Sequence, residues 1–201
     1  MFSEPVILAP AIRLPRAFIA KWPRVLVGLA ITCALVLFPL GGLAHGAETV
    51  LGENYVIAAY LFNFSKFVDW PETVFSDPDD DIVLAVTDDD FFGDALSAIN
   101  GKIVKDRQFV VKNLREGTNP LDCQILFIGL SEKRRIPQIL AAVDGKPVLT
   151  VSNLEGFAEA GGAIELAKKD NRIRLVINLT TIKRTGLKMR SQLLEIATIV
   201  Y

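Results

Sequence analysis

Ile82-Val83-Leu84-Ala85-Val86 is an unbroken run of apolar residues with no polar alternation. A strand with one wet face alternates polar and apolar side chains. A continuous run marks a strand covered on both faces, as in the parallel sheets of α/β folds. Ile125–Ile128 repeats the pattern, and Pro147–Val151 reads as another short strand. Helical patterns separate these runs. The expectation is one α/β sandwich: a mixed, mostly parallel sheet, helices on both faces and an antiparallel hairpin near the C-terminus.

The clearest helix is expected over Glu53–Asp69. At 100° per residue Val56, Ile57, Tyr60, Leu61, Phe64, Phe67 and Val68 share an arc about 140° wide, which reads as the core face. Trp70-Pro71 ends it, because proline disfavours helical geometry in the residue before it. Further helices are expected at Phe91–Ile99, Glu132–Val143, Asn153–Ala158 and Leu187–Val200, with a helical turn at Thr180–Thr185. Ile103–Val111 reads as a strand interrupted by Lys105-Asp106-Arg107. Ala163–Ala167 and Arg172–Ile177 read as the hairpin. Its apolar positions must share a face, since a one-residue slip reverses every side chain. A turn at Lys169-Asp170 meets that condition and sets Glu165 opposite Arg174.

The front of the chain has another character. Arg13, Arg16, Lys21 and Arg24 precede Val25–Leu40, an uncharged apolar stretch shorter than the roughly 20 residues of a spanning helix. Gly41, Gly42 and Ala44 supply a small-residue exit. This is the pattern of an export signal cleaved after Ala44. The expected organisation is residues 1–44 as signal peptide, 45–52 as a short disordered lead and 53–201 as the folded domain, placed in the periplasm. The competing reading keeps residues 1–44 as an N-terminal anchor.

The whole chain carries 22 basic and 23 acidic residues. Residues 1–44 hold four of the cations and only Glu4 as an acid, so the remainder is mildly acidic. That disfavours nucleic acid as a partner, because such binding rests on basic patches. The single histidine, His45, stands at the edge of the signal, which leaves no histidine base, triad or zinc site for the domain. No catalytic residue, metal or cofactor is implied. Cys33 lies in the signal core, which leaves Cys123 alone ahead of a buried strand, where a thiol packs as a small hydrophobe.

Several constellations carry two readings. Asp88-Asp89-Asp90 follows a strand and either caps the next helix or offers oxygen ligands to a hard cation. Gly161-Gly162 either lets the chain pass close to a neighbour or presents N–H groups to an anion. Tyr55, Ala59 and Phe62 lie among the polar residues of the first helix, with Lys66. They form either a second buried contact or an aromatic stripe for a partner. Trp70 is either a packed anchor or a contact residue. Glu165 with Arg174 is either a cross-strand register pair or, half-buried, an anion contact.

Ala58-Ala59-Tyr60-Leu61-Phe62-Asn63-Phe64-Ser65-Lys66-Phe67-Val68-Asp69-Trp70-Pro71 and Asp122-Cys123-Gln124-Ile125-Leu126-Phe127-Ile128 are joined by Leu149–Ser152, Gly161–Ile164, Asn171–Asn178 and Gly186–Leu194. Together these segments resemble the YfiR family of periplasmic proteins over residues 53–201. The resemblance implies a regulatory binding protein, not an enzyme. It would repress an inner-membrane diguanylate cyclase or sensor protein through the periplasmic part of that partner, and a homodimer is compatible with it. The disulfide-based redox sensitivity known in the family does not carry over, because Cys123 has no partner cysteine in the domain. The rival function is a periplasmic module that senses a small molecule.

Overall fold

A computed structural model describes residues 45–114 and 119–201. The expected export signal lies outside the described residues. Helix α1, His45–Phe67, includes the 45–52 segment expected as a lead. It passes directly into β1, Val68–Asp69, a two-residue strand antiparallel to β9, Lys188–Met189.

The remaining strands are β2 (Ile82–Val86), β3 (Ile103–Val104), β4 (Arg107–Asn113), β5 (Ile125–Ile128), β6 (Leu149–Ser152), β7 (Ile164–Lys169), β8 (Arg172–Asn178) and β10 (Ala197–Val200). They form one sheet in the order β10-β8-β7-β6-β5-β2-β4-β3. All neighbours are parallel except β7/β8 and β3/β4. The mostly parallel α/β sandwich with its late hairpin is therefore the observed architecture.

The unbroken apolar runs are explained by two cores. On one sheet face Leu84, Phe127, Val151, Ile164 and Ile177 meet Ile57, Leu61 and Phe64 of α1. Each of those three helix residues is fully buried, a burial of about 1.5–3 kcal/mol apiece. On the other face Ala85, Leu126 and Ile128 meet Phe157, Val143 and Ile136. Ile136 opens helix α3, Ile136–Ala142.

The buried side of α1 is rotated from the expected arc. Asn54, Ala58 and Ser65 are buried, whereas Val56 is 44% exposed. Satisfied polar groups make this affordable: Asn54 Nδ2 donates to the Phe92 carbonyl at 3.0 Å, and Ser65 Oγ to the Phe62 carbonyl at 2.5 Å.

Elsewhere backbone chemistry shortens the expected helices. Gly93, with φ +51°, splits the Phe91–Ile99 segment into α2 (Asp89–Phe92) and a 3-10 turn. Pro137 lacks an N–H, and Leu130–Arg135 ahead of it is 3-10. Residues 153–161 form turns with Gly156 at φ +78° instead of a helix.

The largest departure is Leu187–Val200. Gly186, at φ +72°, caps α4 (Leu179–Thr185). The chain then forms β9, helix α5 (Ser191–Glu195) and β10, which pairs parallel to β8. Leu193 is buried as its helical spacing predicts. The β-branched residues Ile196, Thr198, Ile199 and Val200 instead favour the strand that extends the sheet past β8.

The hairpin register also differs from expectation. Asp170 and Asn171 have φ of +50° and +57°, a two-residue turn of the kind that matches strand twist. It sets Lys169 opposite Arg172, Leu166 opposite Leu175 and Glu165 opposite Val176. The expected Glu165–Arg174 pairing is thus displaced by two positions, while every side chain keeps its expected face.

Candidate functional site

The expected contact residues occupy three places. Tyr55 is 47% exposed on α1. One turn on, Ala59 is also exposed, and Lys66 is exposed with its Nζ donating to Asn63 Oδ1 at 3.1 Å. Phe62 lies in the same stripe but is half-buried. Its ring meets Phe109 edge-to-face at 5.3 Å, and Lys66 and Lys102 cover it at 4.5 and 5.5 Å. Phe62 is therefore the second buried contact, and Tyr55 is the aromatic left open.

Trp70 sits at the other end of α1. It is half-buried against the core, and its Nε1 donates to the Gln124 carbonyl at 3.2 Å. Beside it Asp69 receives Lys105 Nζ at 2.5 Å, with Arg190 at 3.7 Å. The hydrogen bond from Lys105 is the main reason the Asp69 carboxyl titrates below its ordinary range.

Glu165 lies on the sheet face opposite α1, at 5% exposure, and its Oε2 accepts from the Ala158 N–H at 3.1 Å. Arg174 is exposed and stands opposite Ala167. The two do not form a shared anion site. Glu165 instead helps to fasten the 153–163 segment. There Asn178 Nδ2 donates to the Ala158 carbonyl at 2.8 Å, and Thr150 Oγ1 accepts from the Ala163 N–H at 2.9 Å. Asn178 also caps α4 by accepting from the Thr181 N–H at 2.9 Å. An Asn ahead of a helical turn is a readable signal for that cap; the tertiary half of the network has no local signature.

Of the remaining two-way readings, the glycine pair takes the structural one. Asp88 stands at the N-cap of α2 without the expected side-chain cap hydrogen bond, and Asp89 Oδ2 accepts from Asn113 Nδ2 at 2.5 Å. Among the described residues no group of three or more metal-ligating side chains occurs. Gly162 faces the Phe157 ring so closely that a Cβ would stand 2.1 Å from Cε1. Cys123 is a buried free thiol, and burial pushes its pKa up to about 12.

The open surface that sequence reasoning missed lies between the N-terminal half of α1 and the tip of the β7–β8 hairpin. It is a groove of about 510 Å³ with Val56, Tyr60 and Ile173 as its apolar part and Lys168, Asn171 and Arg172 along its rim. Lys168 is ion-paired with Glu53 across the groove, whereas Arg172 is exposed on the hairpin. Tyr55 stands beside the groove on α1. An exposed Tyr and Val next to an arginine have the composition of a protein-binding surface, where aromatics and Arg are enriched. No helix among the described residues is long and apolar enough to cross a membrane.

A comparison with known families matches residues 54–198 to the model described as YfiR/HmsC-like. That span includes α1 from its buried Asn54, the whole eight-stranded sheet apart from the last residues of β10, and the groove residues Val56, Tyr60 and Ile173. The chain belongs to the YfiR/HmsC-like family.

Proposed function

We propose that the protein is a periplasmic regulatory binding protein that represses a membrane signalling protein, a diguanylate cyclase, by docking on that protein's periplasmic part. Family membership across residues 54–198 is the observation that carries the reading. The open Tyr55–Val56 surface beside the cationic hairpin tip is where we place the docking. Residues 1–44 serve as the export signal in this account.

A cyclase separated from its repressor by a membrane responds only through a conformational equilibrium. Repression then requires tighter binding to the inactive state, and the shift cannot exceed that difference in affinity. Moving the population from mostly active to mostly inactive takes a preference of about 5.5 kcal/mol at the extreme of 1:99 to 99:1. A docking surface with one or two aromatic anchors and an arginine is of the right kind to supply part of it.

The test is cyclic di-GMP measured in cells. Deleting the gene should raise it, and restoring the wild-type chain should lower it. A Val56→Glu/Tyr55→Ser variant should fold and reach the envelope but fail to lower it. Unchanged cyclic di-GMP on deletion would overturn the repressor reading. Full complementation by the double variant would move the docking surface elsewhere.

A further inference from the structure

A second cleft lies on the sheet face away from α1, between the end of α3 and one side of α4. It has a volume of about 310 Å³, at the small end of the ligand-pocket range. Leu140, Val143 and Val148 give it an apolar side, and Thr150, Thr181 and Arg184 a polar one. Nothing in the repressor reading uses these residues.

The polar side is arranged rather than scattered. Arg184 forms an ion pair with Asp144, Nε to Oδ1 at 2.8 Å. That contact keeps the guanidinium at the cleft, while neither terminal nitrogen of Arg184 has a hydrogen-bond partner among the described residues. The pair is about half exposed, so water already hydrates that edge and little desolvation opposes a guest. Lys146 and Lys183, next to the pair in sequence, are exposed cations that offset the Asp144 charge. At the floor, Thr150 is 2% exposed. Its Oγ1 accepts from the Ala163 N–H, and its own hydroxyl proton has no acceptor among the described residues. Thr181 Oγ1 is held by donating to the Gly161 carbonyl at 3.0 Å. Gly161 and Gly145 both line the cleft with positive φ and open space where a Cβ would stand.

We infer that this cleft binds a small organic carboxylate with an apolar body. The carboxylate takes the two free Nη groups of Arg184, whose planar fork fits a carboxylate bidentately. The body lies on Leu140, Val143 and Val148. Asp144 keeps the arginine at the cleft as its ion-pair partner. The cleft is separate from the groove beside Tyr55, yet β8 runs from that groove at Arg172 to α4 at Leu179, so the two surfaces share one strand.

Hexanoate and benzoate serve as probes, titrated into the folded protein and followed by amide chemical shifts. Hexan-1-ol and hexylammonium are the matched controls. The expected result is saturable shifts at Gly145, Gly161 and Thr181 with the carboxylates and not with the controls. Arg184→Gln should weaken binding by roughly tenfold or more, as loss of a charge-assisted bidentate pair requires. Arg184→Lys should recover only part of it. Saturation by hexan-1-ol as readily as by hexanoate would overturn the inference, as would carboxylate binding indifferent to Arg184→Gln, or no shift at these amides. None of these outcomes depends on a cyclase, so the inference and the repressor reading fail separately.

Discussion

Phe62→Ala distinguishes the two sides of the α1 stripe. Complete burial of a Phe followed by truncation to Ala costs about 3–5 kcal/mol. Phe62 is only half-buried, which scales that to about 1.5–2.5 kcal/mol. The edge-to-face contact with Phe109 at 5.3 Å adds about 0.5–1.5 kcal/mol beyond area, part of it already counted. The expected loss is about 2 kcal/mol, or roughly 4–8 °C in melting temperature for a domain of this size. Tyr55→Ala, at an exposed position, should change stability by less than about 0.5 kcal/mol. Urea unfolding monitored by circular dichroism measures both. In a binding assay with the membrane partner the order should reverse once Phe62→Ala is assayed below its unfolding range: Tyr55→Ala weakens binding and Phe62→Ala hardly does. A Phe62→Ala protein as stable as the wild type would refute the packing argument and return Phe62 to the surface.

Two other perturbations test the interior. Gly162→Ala drives a Cβ into the ring of Phe157, itself only 1% exposed and unable to swing into solvent, so urea unfolding should show a loss of about 1–3 kcal/mol or more; a neutral result would mean that the ring is free to move. Burial holds the Cys123 pKa near 12 against an ordinary value of 9.0, so the unfolded chain gives up its thiol proton first as pH rises. The stability tied to this thiol is whole below about pH 9 and is lost progressively between there and about 12. Cys123→Ala should flatten that alkaline slope in chemical denaturation at a series of pH values, and an identical slope in both proteins would refute the burial argument.

How far the sequence revealed the fold depends on which force sets each element. The strands β2 and β5 were legible because burial on both faces demands an unbroken apolar run. The end of α1 was legible only to within two residues: Trp70-Pro71 acts locally, whereas Val68 and Asp69 leave the helix to pair with β9. The hairpin was half legible. Side-chain parity decides which face each residue takes, and two registers satisfy it equally. The choice between them belongs to Asp170 and Asn171, whose tolerance of positive φ sets the turn.

The strand β10 was illegible for a different reason. Leu193, Leu194, Ala197 and Val200 do fall on a helical period, but the edge of β8 is a tertiary demand that no local pattern displays. The groove was missed through an error of helical phase. Apolar periodicity weights Val56 and cannot see that Asn54 and Ser65 are buried with their hydrogen bonds met. Rotating the helix to bury them turns Val56 outward. Tyr55 and Phe62 carried the same two readings, because polar neighbours in the stripe do not say which aromatic meets Phe109.

The position of α1 at the start of the domain sets the order in which the chain can become stable. Its buried residues Ile57, Leu61 and Phe64 belong to the same core as Ile164, Leu166, Leu175 and Ile177, and its Glu53 pairs with a lysine 115 residues later. Ribosomes deliver the chain from the N-terminus, so this long apolar face is made first and acquires its counterpart last. Contacts this far apart in sequence are slow to form, and an unpartnered greasy helix is prone to associate with its neighbours in the meantime. Any chain stopped before the β7–β8 hairpin lacks part of the floor on which α1 rests. Such fragments are natural clients for holding chaperones and proteases, and a nascent-chain assay should find protease resistance arriving in one step, late, after residue 178 has cleared the exit.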